Sequence, residues 1–330
     1  MHDLLLSCDW GTSCFRLRLV DIYHSQVIDE IRSDKGAAAM HRRWEAGKKQ
    51  DDISIEQFYL QELQQNIQSL SAKASHDLQH TPVVVSGMAS SAIGMRELPY
   101  ASLPFALDGS DSHVVCIGPT KACSNKIYLI SGISSQRDVM RGEETQMVGL
   151  ASIHKAVYET ENAVCILPGT HSKHIRLHKG SITDFRTYMT GELFHIMTHH
   201  SILKDAVSGD GLSDDLSKAQ ADAFCEGIHD AKRSNLLHDL FSVRINQLFR
   251  LLRKEENFCY LSGLLIGTEL SDIQEDTGPV ILCSGSNVYA FYKLALQEMK
   301  KTGQAIFIEA SIMDEVVVKG HIQILQHQHG

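Results

Sequence analysis

Leu4-Leu5-Leu6-Ser7-Cys8-Asp9-Trp10-Gly11-Thr12-Ser13-Cys14-Phe15-Arg16-Leu17-Arg18-Leu19-Val20-Asp21 decides how this chain is read. The run from Leu4 to Cys8 is apolar and too short for a helix, which suits a strand buried on both faces. An Asp-Trp-Gly-Thr-Ser corner follows. Then Phe15, Leu17 and Leu19 alternate with Arg16, Arg18 and Val20, the period-2 mark of a strand doubling back. The corner is therefore expected to be a hairpin tip that gathers Asp9, Gly11, Thr12 and Ser13 at one sheet edge. Glycine lets backbone N–H groups approach phosphate oxygens, and the Thr12 and Ser13 hydroxyls add donors. A carboxylate beside phosphate needs a divalent cation between them, and Asp9 could orient Mg²⁺ through its waters. The same residue types also suit an ordinary turn.

The pattern recurs. Ala163-Val164-Cys165-Ile166-Leu167-Pro168-Gly169-Thr170-His171-Ser172-Lys173-His174-Ile175-Arg176-Leu177 is a second apolar strand, Gly-Thr-x-Ser corner and returning strand. Gly11 and Gly169 lie close to half the chain apart. One such unit near the start of each half predicts two related domains, 1–160 and 161–330, facing each other across an interdomain cleft with a polyphosphate pinched between the two tips.

With 330 residues there is ample chain for two cores. The net charge of −9 and the lack of a long basic run argue against a nucleic-acid surface. Eight scattered cysteines without a Cys-x-x-Cys fit a reducing compartment rather than disulfides or a zinc site. Met1-His2-Asp3 has no basic n-region, Asp9 interrupts the first apolar stretch, and no apolar run reaches the length of a membrane span. The expectation is a soluble, cytoplasmic protein without a membrane partner. Glu192, His195 and His199 share a helix face, but no His-Glu-x-x-His or second Glu-x-x-His accompanies them, so a transition-metal site is disfavoured.

Between the corners the chain gives further candidates. Ser54 and Gln57 predict a capping box for a helix striped by Phe58, Leu60, Leu63, Ile67 and Leu70. The polar segment from Trp44 to Asp52 is expected to be a loop. Val83–Val85 form a buried strand ending in a small-residue loop, where ligands gather. In Asp138-Val139-Met140-Arg141-Gly142-Glu143-Glu144-Thr145, Gly142 forms a turn and the acids suit a helix's first turn. One of them could instead take a proton from a substrate hydroxyl. Glu143 and Glu144 point about 100° apart on a helix, so only one can be the base and the other holds Mg²⁺ or caps the helix. Arg141 is the first candidate to read a substrate carboxylate, with Arg186 as runner-up. Thr190 is expected to cap a helix, and Thr190 and Glu192 to serve as substrate ligands. Later helices are expected over 216–227, 236–253 and 255–270. Val280–Cys283 should open through Gly285 and Ser286 into another helix, a corner where adenosine could approach the backbone, unless Ser286 or Asn287 is a plain cap.

These strings resemble those of a known family. The corners at Asp9-Trp10-Gly11-Thr12 and Gly169-Thr170 look like the two phosphate motifs of the actin/hexokinase/Hsp70 sugar kinases. Met140–Gln146, Leu167–Lys173, Asp184–Leu193 and Leu261–Gly267 resemble, more narrowly, the 2-dehydro-3-deoxygalactonokinase family. The resemblance implies an α/β, two-domain actin-like or ribonuclease H-like ATPase fold. It implies MgATP-dependent phosphorylation of the terminal hydroxyl of 2-dehydro-3-deoxygalactonate, a small sugar acid, to its 6-phosphate. Asp9 would hold Mg²⁺; Gly11, Thr12, Ser13, Gly169, Thr170 and Lys173 would contact phosphates; Gly142-Glu143 would stand where the wider sugar kinases carry a catalytic acid. Alternatives are a kinase of another sugar or sugar acid and a nucleotide-switched actin-like binding protein. The assembly is left open, a homodimer included.

Overall fold

The computed structural model describes residues 4–47, 53–210, 216–233, 235–273, 278–300 and 305–328. The chain divides into two compact units. The first holds Met1–Thr160, Lys179–Asp184 and Asp314–Gly330, and the second holds Glu161–His178 and Phe185–Met313.

In chain order the first unit begins with β1 (Leu4–Trp10), β2 (Phe15–Asp21), β3 (Gln26–Ser33), α1 (Ala37–Gly47), α2 (Ile55–Ala74) and β4 (Val83–Gly87). Short strands follow: β5 (Ala101–Ser102), β6 (Phe105–Ala106), β7 (Val114–Ile117), β8 (Ile127–Ile130), β9 (Ile133–Ser134) and β10 (Val139–Met140). Then come α3 (Glu143–Ile153) and α4 (Lys155–Glu159). The second half has β11 (Ala163–Leu167), β12 (Ser172–His178), β13 (Ser181–Tyr188), α5 (Thr190–His200), α6 (Lys218–Arg233), α7 (Leu236–Leu248), α8 (Lys254–Leu270), β14 (Val280–Cys283), α9 (Ser286–Glu298), β15 (Ala305–Ile308) and α10 (Ala310–His327).

The two main sheets share one plan. In the first unit the order is β3-β2-β1-β4-β8-β7, with β1 antiparallel to β2 and parallel to β4, which in turn is parallel to β8. In the other sheet, β13-β12-β11-β14-β15, extended at its β13 edge by β6, repeats it: β11 is antiparallel to β12 and parallel to β14, and β14 is parallel to β15. An antiparallel meander continued by two parallel strands is the ribonuclease H-like order that the family resemblance implies, and it occurs twice in the chain.

Burial follows the sequence pattern. Leu6, Cys8 and Trp10 on β1 join Leu17 and Leu19 on β2 and Leu63, Ile67 and Leu70 on α2 in the first core. The Trp10 ring meets Phe15 edge-on at 4.7 Å, and its Nε1 donates to the Lys35 carbonyl at 3.0 Å. The α2 stripe is set by its start, because Ser54 and Gln57 form the expected capping box. In the second core Val164 and Ile166 pack with Val280, Leu282, Phe224 and Tyr292.

Several expectations are corrected. The segment from Trp44 is helical up to Gly47, as the end of α1, and Trp44 Nε1 donates to the Ile53 carbonyl at 3.1 Å; residues 48–52 lie outside the described residues. Helix α6 runs on to Arg233, past the expected Gly227, because Ile228 is also buried. Helix α7 stops at Leu248, short of Arg253, because Arg250 adopts a left-handed φ of 56°. The expected 161–330 domain differs from the observed division: the chain from Asp314 onward belongs to the first unit. There α10 is drawn against α3 by glycine contacts, a Cβ on Gly149 falling 1.7 Å from the Val316 carbonyl and one on Gly320 2.2 Å from that of Thr145.

Candidate active site

The first corner is built on a helix end. Gly11 N–H closes the hairpin onto the Cys14 carbonyl at 2.9 Å, while Ala37 and Ala38 N–H donate to the Gly11 and Thr12 carbonyls at 2.9 and 3.1 Å. Two of α1's otherwise unpaired amides are thereby satisfied, which fixes where the helix starts. Gly36 makes room, since a Cβ there would lie 2.4 Å from Thr12 O. Thr12 and Ser13 remain exposed, with their side chains at the tip.

The second corner repeats this device. Glu192 N–H, in the first turn of α5, donates to the Thr170 carbonyl at 3.0 Å. Gly191 plays the part of Gly36, because a Cβ on it would lie 2.5 Å from Gly169 O. Gly169 has open space at its own Cβ position. Lys173, expected at phosphate, is buried, and its Nζ donates to the His171 carbonyl at 2.9 Å. Thr190 is the first helical residue rather than the cap. Met189 holds the cap position without a side-chain bond, and the Thr190 hydroxyl is turned onto Glu269.

In the first unit the strand ends bring the carboxylates together. Asp9 lies across from Arg16 on β2 and beside Ser86 on β4, and the next pair is Trp10 with Gly87. Gly87 and Gly142 both have positive φ, 86° and 109°, and their backbones nearly touch. Side chains are thus kept out of the space in front of Asp9, whose Oδ1 is 3.5 Å from where a Gly87 Cβ would stand. Burial pushes the Asp9 carboxyl up, Arg16 and Arg18 oppose that shift, and the Glu143 charge adds to it.

The paired glutamates separate into two environments. Glu144 is 1% exposed; it accepts from Gly142 N–H at 2.7 Å and from the Thr145 hydroxyl at 3.0 Å. Burial and then the neighbouring Glu143 raise its pKa to about 7. These bonds tie Glu144 to the start of α3. Glu143 is half-buried and accepts from Arg141 N–H at 3.0 Å.

Arg141 is held in place. Nη1 donates to Ser90 Oγ at 2.6 Å and Nη2 to the Leu98 carbonyl at 3.4 Å, and the guanidinium lies 4.2 Å from the Tyr100 ring centroid. Its Nε is buried and unpaired. Arg186, in the second unit, is exposed and bonds Asp272 at 2.9 Å, with Tyr188 donating to the same carboxylate oxygen. Glu192 is paired with His171 Nε2 at 2.5 Å. Gly285 caps α9 with open space at its Cβ position, and the Ser286 side chain lies outside the described residues.

A cavity of about 540 Å³ starts at the second corner. Gly169 and Thr170 form one side, Thr190 and Gly191 another, and Phe258, Phe291 and Tyr292 supply aromatic walls. These walls were not picked out from the sequence, where they fall inside the helices expected over 255–270 and after Ser286. Glu269, a lone acid near the end of apolar α8, also went unnoticed.

The profile of the 2-keto-3-deoxy-galactonokinase family matches residues 9–320. The chain belongs to that family. It is 33% identical over 227 residues to 2-dehydro-3-deoxygalactonokinase of Escherichia coli (strain K12), covering 66% of this chain and 71% of that protein. It is 31% identical over 321 residues to the probable 2-dehydro-3-deoxygalactonokinase of Rhizobium meliloti (strain 1021), covering 94% and 93%. A crystal structure from Sinorhizobium meliloti, of a protein provisionally assigned the same activity, superposes with a TM-score of 0.76 at 27% identity, over 98% of this chain and 96% of that one. Among the described residues, no helix is long and apolar enough to cross a membrane.

Proposed function

We propose that this family member is an ATP-dependent kinase that phosphorylates the terminal hydroxyl of a 2-keto-3-deoxy sugar acid, 2-dehydro-3-deoxy-D-galactonate, to the 6-phosphate. Family membership over residues 9–320 carries the reading. The two helix-seated Gly-Thr corners support it, because phosphoryl transfer asks a protein chiefly for positioning and for stabilisation of charge.

In this reading the aromatic cavity of the second unit takes adenine and ribose, and the Gly169-Thr170 corner at its edge meets the phosphates. In the first unit Thr12 and Ser13 offer hydroxyl donors to phosphate oxygens. Glu143 accepts the proton of the acceptor hydroxyl. The freed oxygen bonds to the γ-phosphorus, the bond to the bridging oxygen breaks, and ADP leaves with that electron pair. Asp9 fits a hard divalent cation: the residue is half-buried, and its carboxylate, with the Glu143 charge nearby, gains from a positive charge. Mg²⁺ held there would neutralise phosphate charge. Arg141, fixed by Ser90, Leu98 and Tyr100, supplies the cation for the acid's carboxylate.

The test is a panel of sugar acids with coupled ADP detection. Turnover should appear with 2-dehydro-3-deoxygalactonate and collapse with an analogue lacking the carboxylate. ATP hydrolysis indifferent to every sugar acid would overturn the assignment. Arg141→Lys should lower kcat/KM roughly tenfold or more, as expected for losing a charged hydrogen-bond clamp. An unchanged KM for the acid would remove Arg141 from substrate recognition.

A further inference from the structure

Glu269 is 2% exposed and holds four segments of the second unit together. Its Oε1 accepts from Ser172 Oγ at 2.8 Å and His174 Nε2 at 2.9 Å, and its Oε2 from Tyr292 OH at 2.7 Å and from Thr190 Oγ1. These donors belong to β12, α9 and α5, and the acceptor to α8. Two of them flank the second corner: Ser172 is the first residue of the strand leaving it, and Thr190 opens the helix on which it sits. The other pairing that matters is with Tyr292, which lines the cavity, as does Thr190.

We propose that Glu269 is the positioning residue of the nucleotide site, setting the Gly169-Thr170 corner against α5 and α9. The inference rests on the reading of the cavity as a nucleotide site and adds the residue that shapes it. A carboxylate only accepts, so the Thr190 and Tyr292 hydroxyls spend their hydrogens on it and their oxygens meet an occupant as acceptors. Gly191 and Glu192 then follow Thr190 onto the backbone of Gly169 and Thr170. The hydrogen bonds of Glu269 run to the side chains of Ser172, His174, Thr190 and Tyr292, and it acts on the corner through Thr190, Ser172 and Tyr292.

The sign of the effect separates this from the competing roles. A negative charge buried behind a phosphate corner opposes phosphate, so on charge alone Glu269→Gln would tighten nucleotide binding. A scaffold role alone would lower Tm and leave the affinity of the folded protein as it was. Positioning predicts the third outcome: ADP binding, measured by calorimetry with Mg²⁺ and no sugar acid, weakens about tenfold or more, equivalent to roughly 1.4 kcal/mol. KM for ATP should rise in step while KM for the sugar acid stays unchanged.

Should Glu269→Gln fail to fold, Ser172→Ala and Tyr292→Phe each remove one donor and keep the remaining shape. Each should weaken ADP several-fold, and the double variant should lose less than the two effects combined, because both act through one carboxylate. Tighter ADP binding by Glu269→Gln, or ADP affinity within twofold of wild type in the soluble variants, overturns the proposal. If wild type binds ADP but phosphorylates no sugar acid, the acceptor assignment fails and the Glu269 result still stands. If wild type binds no ADP, the cavity reading fails and the Glu269 role falls with it.

Discussion

At the residue scale the informative contrast is between adjacent glutamates. Glu143 lies near Asp9 and is half-buried, whereas Glu144 is sunk among α3's first amides with its pKa raised to about 7. Glu143→Gln should lower kcat about 10²–10⁴-fold, the usual cost of removing a general base. Glu144→Gln should keep most of kcat, because glutamine resembles the protonated acid that burial already favours. Single-turnover phosphoryl transfer distinguishes them, and equal losses would show that the pair works as one unit. Asp9→Asn should lower turnover by orders of magnitude with the fold intact, since an amide cannot supply the charge a divalent cation needs. Near-normal rates at ordinary Mg²⁺ would remove Asp9 from cation binding. From the sequence, one glutamate is already assigned the base's role and the other the helix cap or Mg²⁺; what it does not show is the Gly142 N–H and Thr145 hydroxyl that hold Glu144. Glu144 turns onto Gly142 N–H and the Thr145 hydroxyl, while Glu143 beside it stays half-buried and accepts from Arg141 N–H.

At the scale of elements, the two hairpins were legible because alternation in Phe15–Leu19 and the apolar run in Ala163–Leu167 admit few other structures. What seats them was not. Helix α1 reads as small residues followed by a polar stretch, and its start is set by the Gly11 and Thr12 carbonyls rather than by a cap of its own. Helix α5 likewise begins where Gly191 reaches Gly169. Such tertiary contacts leave no periodic trace in sequence. The cavity walls were hidden for a related reason: Phe291 and Tyr292 have the helical spacing of any core. Gly191→Ala tests the seating. Its Cβ would meet the Gly169 carbonyl at 2.5 Å and Thr170 Cα at 2.8 Å, backbone atoms that cannot rotate aside. The corner must move, so KM for ATP should rise at least several-fold, with about 1–3 kcal/mol of stability lost to overpacking. An alanine variant with wild-type ATP kinetics would show that the corner tolerates displacement.

For the molecule as a whole, two buried groups in the first unit set opposing pH dependences. His321 on α10 is fully buried, its Nδ1 2.8 Å from Ser7 Oγ and its Nε2 2.9 Å from Ser86 Oγ. Burial, with a smaller contribution from the Arg18 charge, lowers its pKa to about 3. The unfolded chain takes up this proton near pH 6.5, so between there and about 3 the unfolded state binds more protons. Stability then falls as pH falls, by up to about 1.4 kcal/mol per pH unit. Glu144 acts the other way. Its pKa rises from 4.5 unfolded to about 7 folded, so its contribution is complete below 4.5 and is lost as pH rises through 7. Between about 4.5 and 6.5 the two slopes offset each other, and below that His321 acts alone. Trp10 and Trp44 both lie in the first unit, so tryptophan fluorescence in urea follows that unit's unfolding. Against wild type, Glu144→Gln should uncover a stability that declines with acid from pH 6.5. His321→Gln should uncover one that increases from pH 6.5 to 4.5, although its absolute stability is lower for lack of the native packing. The differences from wild type isolate each group, whatever other carboxylates contribute. If both variants keep the wild-type slope, the buried charges have been misassigned, and the link from α10 through His321 to Ser7 and Ser86 would be one of packing alone.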